Sequence, residues 1–104
     1  MDFTLQFLGG LLSGLYYLSP VLIFLIIKIV IEGLWIGRKE SWKRIDALYF
    51  AFITATTVGY GDMRPSRLGC KLVAISIALT GIILTGIIVA VAIHAIEKAL
   101  IEKV

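Results

Sequence analysis

Two long uncharged runs constrain this chain more than any other feature. No charged side chain occurs from Phe3 to Ile27, and none from Leu72 to Ile93, a run of 22 residues. Each is as long as the roughly 20 apolar residues that carry a helix across a bilayer. Between them lies a polar, glycine-bearing stretch, Thr56-Thr57-Val58-Gly59-Tyr60-Gly61-Asp62. Non-helical backbone at membrane depth survives only where protein buries it or where it lines a water-filled path. Such a turn therefore asks for a pore. With 60% apolar residues and a mean hydropathy of +1.00, a soluble domain of 104 residues could not hide its apolar surface.

The length is that of one domain, 1–104. One cysteine, Cys70, excludes an intrachain disulfide and any multi-cysteine metal site. The net charge of +3 is spread over bases interleaved with acids, which leaves nucleic acid no footprint. His94 and Cys70 are 24 residues apart and form no nucleophile and base pair, and no phosphate-binding loop is present, so no enzyme and no cofactor are expected. A secretory signal fits the early apolar run poorly, because Asp2 stands where a basic n-region belongs. No segment carries arginines at every third position, so no voltage sensor is expected, nor is a ligand-binding domain.

Two placements compete for the first helix, about Phe3 to Ile27 or Gly14 to Ile36. Gly9, Gly10, Ser13 and Gly14 weaken a helix near the start. Lys28 and Glu32 can pair at i,i+4 near an interface, with Trp35 in the aromatic belt. These points favour the second, with 1–13 as an interfacial segment and 14–37 as the outer helix. Lys28 and Glu32 then read as a surface pair near a helix end.

The charged connector Arg38 to Arg44 leads to a short helix over 45–56, with Ser41 and Asp46 as possible caps and Leu48, Tyr49, Phe52 and Ile53 as its apolar face. A segment this short cannot span and suits a re-entrant helix, whose C-terminal end favours a cation. Pro65 ends regular structure, Cys70 is a small packing residue before the next helix, and a second spanning helix covers 71–98. His94 reads as interfacial. The fold class is thus an all-α membrane protein, two transmembrane helices flanking a re-entrant pore helix and a polar turn. The turn's unpaired backbone requires several copies around it.

In the turn, carbonyls of one strand point the same way only if φ/ψ alternate between right- and left-handed regions. Gly59 and Gly61, one residue apart, permit this cheaply. Val58 and Tyr60 then point away from the pore, and the Thr57 hydroxyl can join the carbonyl cage.

Thr57-Val58-Gly59-Tyr60-Gly61 resembles, letter for letter, the selectivity filter of potassium channels, the standard example of carbonyl-based selectivity. The resemblance covers about Gly33 to Ile93. It implies a homotetramer in the cell membrane, multi-pass, with K+ as permeant ion held by Thr57, Val58, Gly59 and Tyr60, and Gly61 completing the filter. Thr56 and Asp62 would support the filter, Asp62 tying its outer end to the pore helix. Tyr49 and Phe50 would form part of an aromatic cuff around Tyr60. Gly81 falls at the family's hinge position, with Gly86 a second flexible point. Ile53 stands where some relatives place a glutamate, so Tyr49 is the expected donor to Asp62.

Ile82, Thr85, Val89, Ile93 and Glu97 recur at three- and four-residue steps and are read as the pore-lining stripe. Ordinary helix packing would give the same spacing. Seven of the ten basic residues lie from Arg38 to Lys71, which the positive-inside rule places in the cytoplasm. The family resemblance places them outside, and that placement is adopted here. A non-selective cation channel and a non-conducting membrane hairpin are the rival readings.

Overall fold

The computed structural model describes residues 2–103; Met1, Val104 and the side chains of Glu102 and Lys103 lie outside what is described. Four helices follow in order: α1 (Phe3–Tyr17), α2 (Ser19–Glu40), α3 (Arg44–Ala55) and α4 (Leu68–Lys103). At 1.5 Å per residue α4 is about 54 Å long, which matches the longest dimension of the molecule, 55 Å. α2 and α4 are each long and apolar enough to cross a membrane. Ile23, Phe24, Ile31, Ile75, Leu79 and Ile83 lie exposed on them, as suits a chain whose surroundings are lipid or further protein.

The helix does not start at Gly14, because the residues from Phe3 on are already helical. Helix begins at Phe3 and is interrupted at Leu18. Pro20 has no N–H for the Tyr16 carbonyl four residues back, and the Ser19 hydroxyl donates to that carbonyl at 2.7 Å instead. The early glycines do not break the helix because they serve close approach. A Cβ on Gly10 would sit 3.2 Å from Ala95 Cβ, and one on Gly14 2.6 Å from Val91 Cγ1. α1 thus lies antiparallel along the C-terminal half of α4. α2 continues beside its N-terminal half, with Trp35 next to Gly69.

The other boundaries also differ from expectation. α2 runs on to Glu40, and Ser41 caps its C-terminus in the left-handed conformation, φ 63°, so it does not cap the pore helix. α3 starts at Arg44 behind Lys43, without a side-chain cap, and Asp46 lies in its first turn. α4 begins at Leu68, so Cys70 is inside it and buried. Its early start has a cause: Glu40 accepts hydrogen bonds from Ser66 N (2.9 Å), Ser66 Oγ (2.8 Å) and Arg67 N (3.0 Å). A carboxylate there satisfies orphan donors and favours the positive end of the helix.

α3 packs through its small residues. Its buried side is Ala47, Phe50, Ala51 and Ala55, while of the face read as apolar Tyr49 and Phe52 are exposed and Leu48 and Ile53 half-buried. The reason is the partner. A Cβ on Gly33 would lie 2.5 Å from Ala51 Cβ, and one on Gly37 2.4 Å from Ala47 Cβ. Backbones approach this closely only where side chains are small on both sides. The core formed around this seam contains Ile29, Ile36, Phe50, Ala51, Ala55, Cys70 and Ile77.

Lys28 and Glu32 are not a surface pair near a helix end. They sit within α2, 2.8 Å apart, and Lys28 reaches across to Ser76 and Thr80 of α4.

Candidate functional site

The polar turn starts from the C-terminus of α3, where the last carbonyls need donors. Thr56 N donates to Phe52 O at 2.9 Å, and Thr56 Oγ1 donates to the same oxygen at 2.6 Å. Thr57 N donates to Thr54 O at 3.2 Å and Gly59 N to Ile53 O at 3.1 Å. The turn is therefore folded back onto the helix end, with the negative end of the helix dipole beside it.

From Thr57 onward every second residue is left-handed: φ is 64° at Thr57, 52° at Gly59 and 81° at Gly61. The two glycines adopt this freely. A β-branched threonine does not, and its conformation costs on the order of 1–3 kcal/mol, the kind of strain that gathers at functional sites. The Thr57 hydroxyl donates to Thr56 O at 2.6 Å. Its proton so engaged, the oxygen keeps lone pairs for a cation. Val58 and Tyr60 are 50% and 72% exposed, so no part of this chain shelters them.

Beyond the turn, Tyr49 Oη donates to Asp62 Oδ2 at 3.0 Å, tying the far end of residues 57–61 to α3. Ile53 offers no carboxyl, and the phenol takes that place. Partial desolvation against its neighbours and the bond to Asp62 hold the Tyr49 phenol above its ordinary value, so it stays a donor well past neutral pH. Tyr49→Phe removes this bond and leaves the ring in place. The expected outcome is a faster loss of current during sustained opening, measured in planar bilayers; unchanged currents would count against the role of this bond.

Phe50 does not join a cuff around Tyr60 within the chain. It is 5% exposed and meets Trp42 edge-on, ring centroids 5.2 Å apart, because it shares the buried side of α3 with Ala47 and Ala51. Its work is to hold α3 against the end of α2.

On α4 the two candidate hinge glycines differ. A Cβ on Gly81 would fall 2.0 Å from the carbonyl oxygen of Ala55, the last residue of α3, whereas nothing lies within 4 Å of one on Gly86. Gly81 is a packing glycine under the turn. Ile82, Thr85, Val89, Ile93 and Glu97 are all exposed, on the side of α4 away from its buried residues Ile77, Thr80, Ala95 and Ala99. Ordinary packing within this chain therefore does not explain the stripe.

Several residues that build the site escape a reading by motif. Gly33, Gly37, Ala47, Ala51 and Ala55 set the position of α3. Their signal is the four-residue spacing of small residues, Gly33-x-x-x-Gly37 against Ala47-x-x-x-Ala51-x-x-x-Ala55. Glu40, Ser76 and Thr80 carry no such pattern.

Comparison with known proteins gives a consistent result. The chain is 40% identical over 75 residues to "Two pore potassium channel a" of Oryza sativa, which covers 72% of this chain and 20% of that protein. It is 39% identical over 56 residues to "Voltage-gated potassium channel" of Aeropyrum pernix, 54% of this chain and 19% of that protein. With "Two-pore potassium channel 1" of Arabidopsis thaliana the identity is 36% over 69 residues, 66% of this chain and 18% of that protein. The chain thus spans about a fifth of the length of these curated relatives. No solved structure matches it. A family model described as "Ion channel" matches residues 10–98, nearly the whole membrane-spanning hairpin and the turn it holds, and the chain accordingly belongs to the ion channel family.

Proposed function

We propose that this chain is the pore of a potassium-selective channel, four copies of which surround one conduction path in the cell membrane. The observation that carries the reading is the alternation of left-handed φ at Thr57, Gly59 and Gly61, within a Thr-Val-Gly-Tyr-Gly turn held at the end of a short helix. Residues whose φ/ψ alternate can turn successive carbonyls to one side, and a ring of carbonyls replaces the water around a dehydrated K+. The ligands would be the main-chain oxygens of Thr57, Val58, Gly59 and Tyr60 and the hydroxyl of Thr57. None of these ligands is an ionised side chain, so the ion is held and released; K+ moves down its gradient and no bond is made or broken.

The names of the relatives favour potassium over other cations. Polar backbone that cannot face lipid and the exposed Val58, Tyr60, Ile82 and Val89, which need a neighbour, support several copies around one path, and the resemblance to potassium channels supplies the number four. In that assembly Thr85 lines a wet cavity, Val89 and Ile93 form the apolar lower path, and Glu97 rings its inner mouth. Thr85→Cys is expected to lose current to a water-soluble thiol reagent; a variant untouched from both sides would remove the stripe from the path.

The deciding measurement is the reversal potential of the reconstituted protein in opposed potassium and sodium gradients. Reversal should follow the potassium gradient alone. Reversal near zero with equal total cation on both sides would make the pore non-selective, and absence of current would leave a membrane hairpin without conduction. Cross-linking in lipid should stop at four chains.

A further inference from the structure

Lys28 and Glu32 form one corner of a closed hydrogen-bond network between α2 and α4. Lys28 Nζ donates to Glu32 Oε1 (2.8 Å), Ser76 Oγ (3.0 Å) and Thr80 Oγ1 (2.8 Å). Ser76 Oγ donates to Glu32 Oε2 (2.9 Å), and Thr80 Oγ1 donates to Ser76 O (2.9 Å). All three ammonium protons and both hydroxyl protons are used, and both carboxylate oxygens accept. Lys28 lies seven residues before Trp35, about 10 Å along the helix, with uncharged residues from Phe3 to Ile27 on its other side. Thr80 is 5% exposed, so neither lipid nor water replaces its hydroxyl as an acceptor for the ammonium.

The network ends where the support of the turn begins. Thr80 is followed by Gly81, and Gly81 is seated on the backbone of Ala55, the last residue of α3. Two residues on is Thr57, whose φ of 64° is held against its β-branched side chain. Strain of this kind persists only where the surroundings over-determine the conformation. Two bonds hold the turn back, Thr57 N to Thr54 O and Gly59 N to Ile53 O, and both acceptors belong to the last turn of α3. The glycines of α2 meet the earlier turns of α3, at Ala47 and Ala51, whereas the last turn meets α4 at Gly81. The place of α4 at this level therefore decides where the turn is anchored.

We propose that Lys28, Glu32, Ser76 and Thr80 are positioning residues for ion selectivity: by fixing α4 at Gly81 they hold Ala55, and through it the strained Thr57 that keeps the carbonyls of the turn in line. This rests on the pore reading above. None of the four belongs to the turn or to the exposed stripe of α4, so each acts through Gly81 and Ala55 and not by touching the ion.

The test uses the full chain in liposomes and planar bilayers. Thr80→Val keeps the side-chain shape and removes the acceptor, and Thr80→Ser restores it. Lys28→Met with Glu32→Met removes both charges together and so strands neither in the apolar layer. In Thr80→Val and in the double methionine variant, the potassium to sodium permeability ratio from reversal potentials should fall about tenfold, with assembly retained. Amide hydrogen exchange over 56–60 should rise about tenfold in both, with 90–99 unchanged. Thr80→Ser should recover both readouts to within about twofold of the parent. Parental selectivity in either assembled variant overturns the proposal, and so does a Thr80→Ser that fails as badly as Thr80→Val. Exchange that rises equally along all of α4, or loss of assembly in both variants, also overturns it, because the network would then hold the whole fold and not the turn. A parent chain that passes no potassium current would defeat the pore reading instead; exchange over 56–60 would still judge the link, and unchanged exchange would remove it.

Discussion

Gly59→Ala is expected to abolish potassium-selective current while leaving the helices in place. Gly59 has φ 52°, and nothing lies within 4 Å of the position its Cβ would take. The substitution therefore meets no clash, and its whole cost is conformational. An L-residue in the left-handed region costs roughly 1–2 kcal/mol. In the proposed assembly of four copies the penalties add to about 4–8 kcal/mol per pore, more than enough to turn the peptide and take its carbonyl out of line. Circular dichroism should match the parent, because α3 ends at Ala55, before the altered residue. Reversal potentials should lose their dependence on potassium, or the current should vanish. Potassium-selective current at parental level would remove carbonyl alignment as the basis of the site.

Gly81→Ala should fail differently, by preventing assembly. The added Cβ would lie 2.0 Å from Ala55 O, 2.5 Å from Ala55 Cα and 2.6 Å from Ala55 C. These are backbone atoms at the end of the helix that carries the turn, so no rotamer change relieves the contact and α3 must move off α4. Overpacking of this kind costs about 3 kcal/mol, or on the order of a hundredfold in the properly packed fraction of each chain. Size-exclusion chromatography should show loss of the assembled species, and bilayers should show no current. Gly86→Ala, with open space around the new methyl, should assemble normally. Parental assembly and current in Gly81→Ala would mean that α3 and α4 do not touch in the working protein.

Much of the fold was legible because its causes are local. The two uncharged runs mark helices wherever they pack, and the short stretch before the turn cannot span. The Tyr49 to Asp62 bond was reached through the family resemblance, which implies an anchored acid at Asp62 and a glutamate where this chain has Ile53. What escaped depends on a partner helix. Gly10 and Gly14 weaken an isolated helix, yet they let α1 lie against Ala95 and Val91. Lys28 and Glu32 make a pair at i,i+4 on any helix, and periodicity does not say that Ser76 and Thr80 complete it. Phe50 follows an aromatic neighbour in the chain but shares its face with Ala47 and Ala51, because the small residues of α3 face the glycines of α2.

The sequence by itself determined that this chain lives in a membrane, that its backbone leaves helix at Thr57, and that the turn has the residues to line carbonyls along a path. These follow from residue type: charge, length and the left-handed freedom of glycine act without reference to anything distant. Only the tertiary structure decided which of Gly81 and Gly86 is wedged against a backbone and which has open space around it, where the outer helix breaks, and which side chains of α4 meet Lys28. Those are properties of pairs of helices at contact, where a single methyl decides whether two backbones can approach.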